Sequence, residues 1–305
     1  MLLSPLRLSQ ILRSEAAKTV VLDSSWFMPN STRVAAAEFR TKRIPGSRFL
    51  DLDEVASPHE LGLKHMLPSE EVFARACEKF GIGRSSHVVM YDSHGVFSSP
   101  RALWMFKSFG HQNTSILDGG LPRWEAEGLP IDSEPPQDET KNIHYSTPTL
   151  DSNAVRSYGQ MVYNSGLIPF QNPDAELALD ARSRGRYLGA DPEPRPGLSS
   201  GHIPNSVSLP FNLFLQNNVA PNGSSYTTFL SEPQLRTAVV DALGPDKANS
   251  LFKGDVSVIA TCGSGMTAAI LWLGLQVLGV KQVSIYDESW TGYALRPSSK
   301  IEKSQ

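Results

Sequence analysis

Val88–Trp124 reads VVMYDSHGVFSSPRALWMFKSFGHQNTSILDGGLPRW, and Ser257–Trp290 reads SVIATCGSGMTAAILWLGLQVLGVKQVSIYDESW. Each runs from a short apolar strand pattern, through a loop of small residues, into an apolar helix. A glycine, a second short strand, an aspartate and a tryptophan follow in both. Asp92 to Asp118 is 26 residues, and Cys262 to Asp287 is 25. The match continues upstream. VVLDSSW (Val20–Trp26) parallels LALDARS (Leu177–Ser183), and RIPGSRFLDLD (Arg43–Asp53) parallels HIPNSVSLPFN (His202–Asn212). Four landmarks recur in one order, so the chain reads as two copies of one domain. Short apolar strands alternate with amphipathic helices in each copy. That pattern predicts an α/β fold, each copy a mostly parallel sheet flanked by helices.

The expected boundaries are 1–135 for the first copy, 136–150 for a linker and 151–300 for the second copy. Residues 131–150 hold three prolines and many small polar residues, without apolar periodicity. The opening MLLSPLRLSQILRS is free of acidic residues. It reads as an amphipathic helix with Leu8, Ile11 and Leu12 on one face, or as a weak organelle-targeting segment within residues 1–13. Net charge is −3 and no basic run exists, so nucleic-acid binding has no electrostatic support. Ala268–Val280 is the longest apolar stretch. It is too short to span a bilayer and reads as a buried helix. Two distant cysteines, Cys77 and Cys262, make no disulfide framework and point to a reducing compartment, cytoplasmic or mitochondrial.

The copies differ at one informative place: the first has Asp92 where the second has Cys262. ATCGSGMTAA places that cysteine between a strand and a helix, followed by Gly263, Ser264 and Gly265. Such a loop turns successive backbone N–H groups inward, and the helix start adds positive potential, so an anion is favoured there. A thiolate or a persulfide suits that ring, and a cysteine buried only for packing suits the same loop. Spacing removes several rivals. Gly265 stands where a C-x-x-C motif needs its second cysteine. A cysteine phosphatase needs an arginine six residues on, where Ala268 stands, and a histidine just before, where Thr261 stands. Cys262 and Met266 occupy the glycine places of a G-x-S-x-G elbow around Ser264. Two cysteines give no zinc spacing. Cys77, in EVFARACEKFGIG, reads as a packing residue on a helix.

DARSRGRYLGADPEPRPGLSSGHIP begins at Asp180, just after the strand pattern LALD. Strand carboxyl ends are where open α/β sheets bind ligands. Arg182, Arg184, Arg186 and Arg195 fall in this stretch, and guanidinium forks fit the oxygens of small anions. Arg182, two residues from Asp180, reads as a loop-anchoring salt bridge. For Arg186 and Arg195 an anion clamp and a structural pair are both open. DLDEVASPHELGLKHMLP in the first copy holds Asp51, Asp53, His59 and His65, whose roles composition alone leaves open. Trp290 reads as packing on the sheet.

Together, the two copies, CGSGMTA, DARSRGRY, EPRPG-x3-GHIP and YDESW resemble the rhodanese-like sulfurtransferases, over roughly residues 5–295. The resemblance implies two tandem rhodanese-like domains, the first non-catalytic and the second catalytic. It also implies transfer of sulfur from 3-mercaptopyruvate or thiosulfate through a persulfide on Cys262. Members that prefer thiosulfate carry basic residues directly after the cysteine. Gly263 and Ser264 stand there, so the resemblance favours 3-mercaptopyruvate. It implies substrate contacts from Arg186, Arg195 and the loop residues Gly263, Gly265, Met266 and Thr267. Met266 replaces the valine common in the family. His65 and Asp53 match positions of a proton relay with Ser264, which would have the first copy contribute to the site. Lys64 stands where the family usually has an aromatic or acidic residue. No metal or organic cofactor is implied. The implied acceptor is a small thiol, cyanide, thioredoxin or a sulfur-carrier protein, and a protein that only relays sulfur to tRNA thiolation or cofactor biosynthesis remains open.

Overall fold

The computed structural model describes residues 1–136 and 143–304. Its strands are β1 (Leu2–Leu3), β2 (Thr19–Asp23), β3 (Arg48–Phe49), β4 (His87–Tyr91), β5 (Thr114–Leu117), β6 (Val155–Arg156), β7 (Leu177–Asp180), β8 (Val207–Ser208), β9 (Leu215–Val219), β10 (Ser225–Phe229), β11 (Val258–Thr261) and β12 (Val283–Tyr286). One sheet has the order β1-β5-β4-β2-β3 and another β6-β12-β11-β7-β8. Every neighbouring pair in both is parallel. The second order is the first with each strand replaced by its counterpart, so the sequence repeat is a repeat of topology.

Register makes the correspondence residue-specific. Asp23 pairs with Tyr91 and Phe49 in the first sheet, and Asp180 with Thr261 and Ser208 in the second. Asp92 and Cys262 are therefore the equivalent next residues. Their carbonyls accept equivalent bonds, from Leu121 N at 3.1 Å and from Trp290 N at 2.9 Å.

Packing gathers the chain into two compact units. The first comprises Met1–Ser57, Leu67–Leu150 and Leu215–Phe229. The second comprises Pro58–Met66, Asp151–Phe214 and the chain from Leu230 onward. These units depart from the contiguous spans 1–135 and 151–300. The β9–β10 hairpin belongs with the first unit because Phe229 N donates to Asp118 Oδ1 at 2.9 Å. It also lies against Gly95 (φ +111), where a Cβ would sit 2.7 Å from Thr227 O, so only glycine fits. Of the expected linker, residues 137–142 lie outside the described residues. Tyr145 is buried in the first unit, its hydroxyl 3.0 Å from His111 Nδ1.

The opening segment is a helix, Pro5–Ser14, with Ser4 accepting from Arg7 N and proline in the first turn. Leu8 and Ile11 are buried, and Leu12 packs against the core cluster that holds Leu8, Val21 and Leu117. The apolar stretch after Cys262 forms the helix Ala268–Val277, in which Leu271, Leu273 and Leu275 are fully buried. Each such side chain contributes about 1.5–3 kcal/mol of burial energy, which fixes the helix that closes the cysteine loop. No helix among the described residues is long and apolar enough to cross a membrane.

Candidate active site

Strand β11 is buried along its length and delivers Cys262 at its carboxyl end. Cys262 is 2% exposed, and both cysteines are free thiols. The backbone of the loop is pinned from the helix Ser289–Ala294. Cys262 N donates to Ser289 Oγ at 3.1 Å, and Cys262 O accepts from Trp290 N. Gly263 O accepts from Thr291 N at 2.9 Å and from Thr291 Oγ1 at 2.6 Å. Ser289 and Thr291 were not singled out from sequence. Their only signal was their place after the strand β12 in the repeated pattern.

The turn at the equivalent place in the first unit closes around a carboxylate. Asp92 is fully buried, and its carboxylate fills the cradle of the first unit. Oδ2 accepts from the backbone N–H of Phe97, Ser98 and Ser99 at 2.9, 3.1 and 2.9 Å, and from Ser99 Oγ at 2.7 Å. Oδ1 accepts from His94 N at 3.0 Å. The turn from β4 into its helix thus supports an anion with four backbone amides, which is the chemistry of a backbone nest. Cys262 starts the equivalent turn in the second unit.

Two arginines lie over that turn. A Cβ built on Gly263 would meet Arg186 Nη2 at 3.1 Å and Arg195 Nη1 at 3.6 Å. Glycine at 263 therefore gives the Arg186 guanidinium room beside the residue that follows the thiol, with Arg195 at ordinary contact distance. Arg186, on the short helix Arg184–Leu188, is steered by Glu193, which accepts from Nε at 3.1 Å and from Nη2. The Glu193 side chain is itself buried and also accepts from Arg182 Nη1 at 2.7 Å. Sequence reasoning missed Glu193, because an acidic residue in a polar loop gives no sign that two arginines share it.

Arg182 has the anchoring role expected of it. It is buried, forks onto Asp180, donates to Gly201 O and lies 4.2 Å over the Trp290 ring. Arg184 is exposed. Trp290 is 1% exposed and donates from Nε1 to Ser199 O at 2.9 Å.

The segment 58–66 brings His65 into the second unit. His65 is buried and its backbone is in the left-handed region (φ +47). Its Nε2 lies 2.8 Å from Ser264 O. A carbonyl only accepts, so Nε2 carries the proton and donates to the loop backbone. His65 thus reaches Ser264 at the carbonyl. Asp53 belongs to the first unit, where Trp26 Nε1 donates to its Oδ2 at 3.4 Å. Ser264 and Thr267 are half-buried; Gly265 and Met266 are buried. Cys77 sits on the helix Glu70–Lys79, fully buried, and burial pushes its thiol well up, out of reach of ionisation at neutral pH.

The chain matches the family profile "Rhodanese-like domain" twice, over residues 13–127 and 169–296. It is 36% identical over 289 residues to a probable 3-mercaptopyruvate sulfurtransferase of Schizosaccharomyces pombe, covering 94% of this chain and 90% of that one. It is 38% identical over 276 residues to a thiosulfate sulfurtransferase of Bos taurus, covering 88% and 83%. Among solved structures it is similar to the sub-stoichiometric sulfur transferase subunit of yeast mitochondrial complex I. The TM-score there is 0.82, with 30% identity and coverage of 100% and 99%.

Proposed function

This chain belongs to the rhodanese family and is a sulfurtransferase like the 3-mercaptopyruvate enzymes, and from that premise we propose that Cys262 carries the sulfur as a persulfide taken from 3-mercaptopyruvate. The observation that carries the reading is the pair of guanidinium groups over Gly263, one residue from the thiol. The substrate is an α-keto acid bearing a thiol. Its carboxylate and keto oxygens suit the forks of Arg186 and Arg195. Held there, its sulfur is directed at Cys262 Sγ.

The thiolate of Cys262 attacks the substrate sulfur. A sulfur–sulfur bond forms and the carbon–sulfur bond breaks, its electron pair leaving as the enolate of pyruvate. The proton from the substrate thiol goes to the enolate carbon, and Cys262 is left as a persulfide anion. We assign that proton transfer to the Ser264 hydroxyl, whose backbone His65 holds. Amides of the Gly263–Thr267 turn would support the persulfide charge, as those of the equivalent turn surround the Asp92 carboxylate. A second thiolate then attacks the outer sulfur, leaves with it, and returns Cys262 to its thiolate. This is double-displacement covalent catalysis. The acceptor is a small thiol or a protein such as thioredoxin. Likeness to the yeast mitochondrial subunit supports a protein partner and a mitochondrial setting.

Steady-state kinetics with both donors test the reading. Turnover with 3-mercaptopyruvate should exceed turnover with thiosulfate. Arg186→Lys should lose about 10- to 100-fold in kcat/KM for 3-mercaptopyruvate, the worth of a charge-assisted hydrogen bond of about 1.5–3 kcal/mol. A wild-type preference for thiosulfate, or an unaffected Arg186→Lys, contradicts it.

A further inference from the structure

The two units diverge at a second place that the sulfur chemistry leaves unused. Asp23 and Asp180 end equivalent strands, and each accepts the N–H two residues on, Ser25 N and Arg182 N, both at 2.9 Å. The side chains of Ser25 and Arg182 therefore start from the same point on the same turn. In the second unit, that side chain folds back. The Arg182 guanidinium forks onto Asp180 and lies on Trp290. In the first unit Ser25 replaces Arg182, and Leu121 replaces Trp290, its equivalent by the matched bonds to Asp92 O and Cys262 O. Both replacements are smaller, and the space stays open. A cleft of about 280 Å³ lies there, with Asp23, Ser25, Ser93 and Leu121 among its lining residues.

Asp23 keeps its carboxyl but loses its cation. It is 2% exposed, and the groups that stabilise its charge are Ser25 and the Tyr91 hydroxyl. The cations on the cleft wall are committed elsewhere. Arg33 makes a two-pronged bond to Glu38 at 2.7 and 2.6 Å and donates from Nη2 to Ser93 Oγ at 3.2 Å, and Lys42 pairs with Glu125 at 2.9 Å. Burial without a partner cation pushes the Asp23 carboxyl up to about 6.

We propose that this cleft is a binding site for a guanidinium group, which takes at Asp23 the place that the Arg182 guanidinium takes at Asp180. Asp23 supplies the carboxylate for a forked pair; Ser25 Oγ already accepts from Ser93 N at 2.9 Å and Ser93 Oγ from Arg33 Nη2 at 3.2 Å, so each hydroxyl keeps one acceptor position for the ligand. The planar, weakly hydrated guanidinium suits a buried carboxylate at the wall of a cleft better than an ammonium does. The cleft takes a free guanidino compound or an arginine side chain of another protein by the same contact.

Titration calorimetry on the full chain at pH 8, with methylguanidinium as the probe, tests this. We expect saturable binding in the millimolar range. Methylammonium, of equal charge, should bind several-fold more weakly. Asp23→Asn should weaken methylguanidinium binding at least tenfold. Ser25→Arg, which rebuilds the pair of the second unit, should abolish it and raise the melting temperature. Both variants should keep sulfurtransferase activity, which confirms that they fold. L-arginine and a capped tripeptide with a central arginine then identify the source. Tighter tripeptide binding assigns the site to a protein segment, and tighter L-arginine binding assigns it to a free small molecule. Absence of saturable binding, equal binding of methylammonium, or binding that survives both Asp23→Asn and Ser25→Arg overturns the proposal.

Discussion

Asp23→Asn should make the protein more stable at pH 8 and leave it unchanged at pH 3. The folded Asp23 carboxyl stands at about 6, against about 3.9 in an unfolded chain. A raised acid is one that the folded state prefers protonated. Between those two values the folded state binds more protons, so stability falls as pH rises. The whole penalty is in place above pH 6. Two pKa units correspond to about 3 kcal/mol. Asparagine removes the charge but keeps an oxygen to accept from Ser25 N. The neighbours Tyr91 and Asp92, and the wall groups Arg33, Glu38, Lys42 and Glu125, stay in place, so the difference isolates the one carboxyl. Calorimetric melts of both proteins at the two pH values measure it. The gain at pH 8 should reach up to about 3 kcal/mol, or about 6–12 °C in the melting temperature of a unit this size. At pH 3, below the unfolded value, the two should agree within about 0.5 kcal/mol, since Asp23 is then protonated in the folded chain and mostly protonated in the unfolded one. An equal shift at both pH values, or a lower melting temperature of the variant at pH 8, refutes the claim that Asp23 is buried without a countercharge.

Gly263→Ala should raise KM for 3-mercaptopyruvate about tenfold with a smaller effect on kcat, because the added methyl crowds Arg186 Nη2 at 3.1 Å; initial-rate kinetics read the split. Glu193→Gln should lower stability by about 1.5–3 kcal/mol and weaken donor binding, since Arg182 keeps Asp180 but loses the charge-assisted bond from Nη1, and Arg186 loses its steering; melting curves and KM check it together. Cys77→Ala should keep full sulfur transfer and cost about 1–2 kcal/mol of packing, seen as a lower melting temperature with unchanged kcat.

The repeat, the parallel sheets and the cysteine turn were legible in the sequence because each rests on local pattern. Strand and helix periodicity, and the glycines after Cys262, act over a few residues. The arginine clamp was half legible. Composition singled out four arginines, but only the packing distinguishes Arg182, turned onto Asp180 and Trp290, from Arg186 and Arg195 over Gly263. Contacts between residues distant in sequence were not legible. Nothing in KHMLP says that His65 reaches the carbonyl of Ser264, 199 residues on, or that LQNNVAPNGSSYTTF packs with the first unit through Asp118. The departure of DSSW from DARS is visible in the sequence itself. It acquired meaning only when sheet register showed that Ser25 stands where Arg182 stands.

The central claim is that Cys262 itself carries the sulfur between donor and acceptor. It is tested most directly by one single-turnover measurement. The protein is mixed with 3-mercaptopyruvate in the absence of acceptor, pyruvate is counted, and the mass of the cysteine peptides is read. The account predicts one pyruvate per chain and a gain of one sulfur atom on the Cys262 peptide. Cys262→Ser should give neither, and an added thiol should discharge the sulfur. Pyruvate release without a sulfur adduct, or an adduct on the Cys77 peptide, would contradict it.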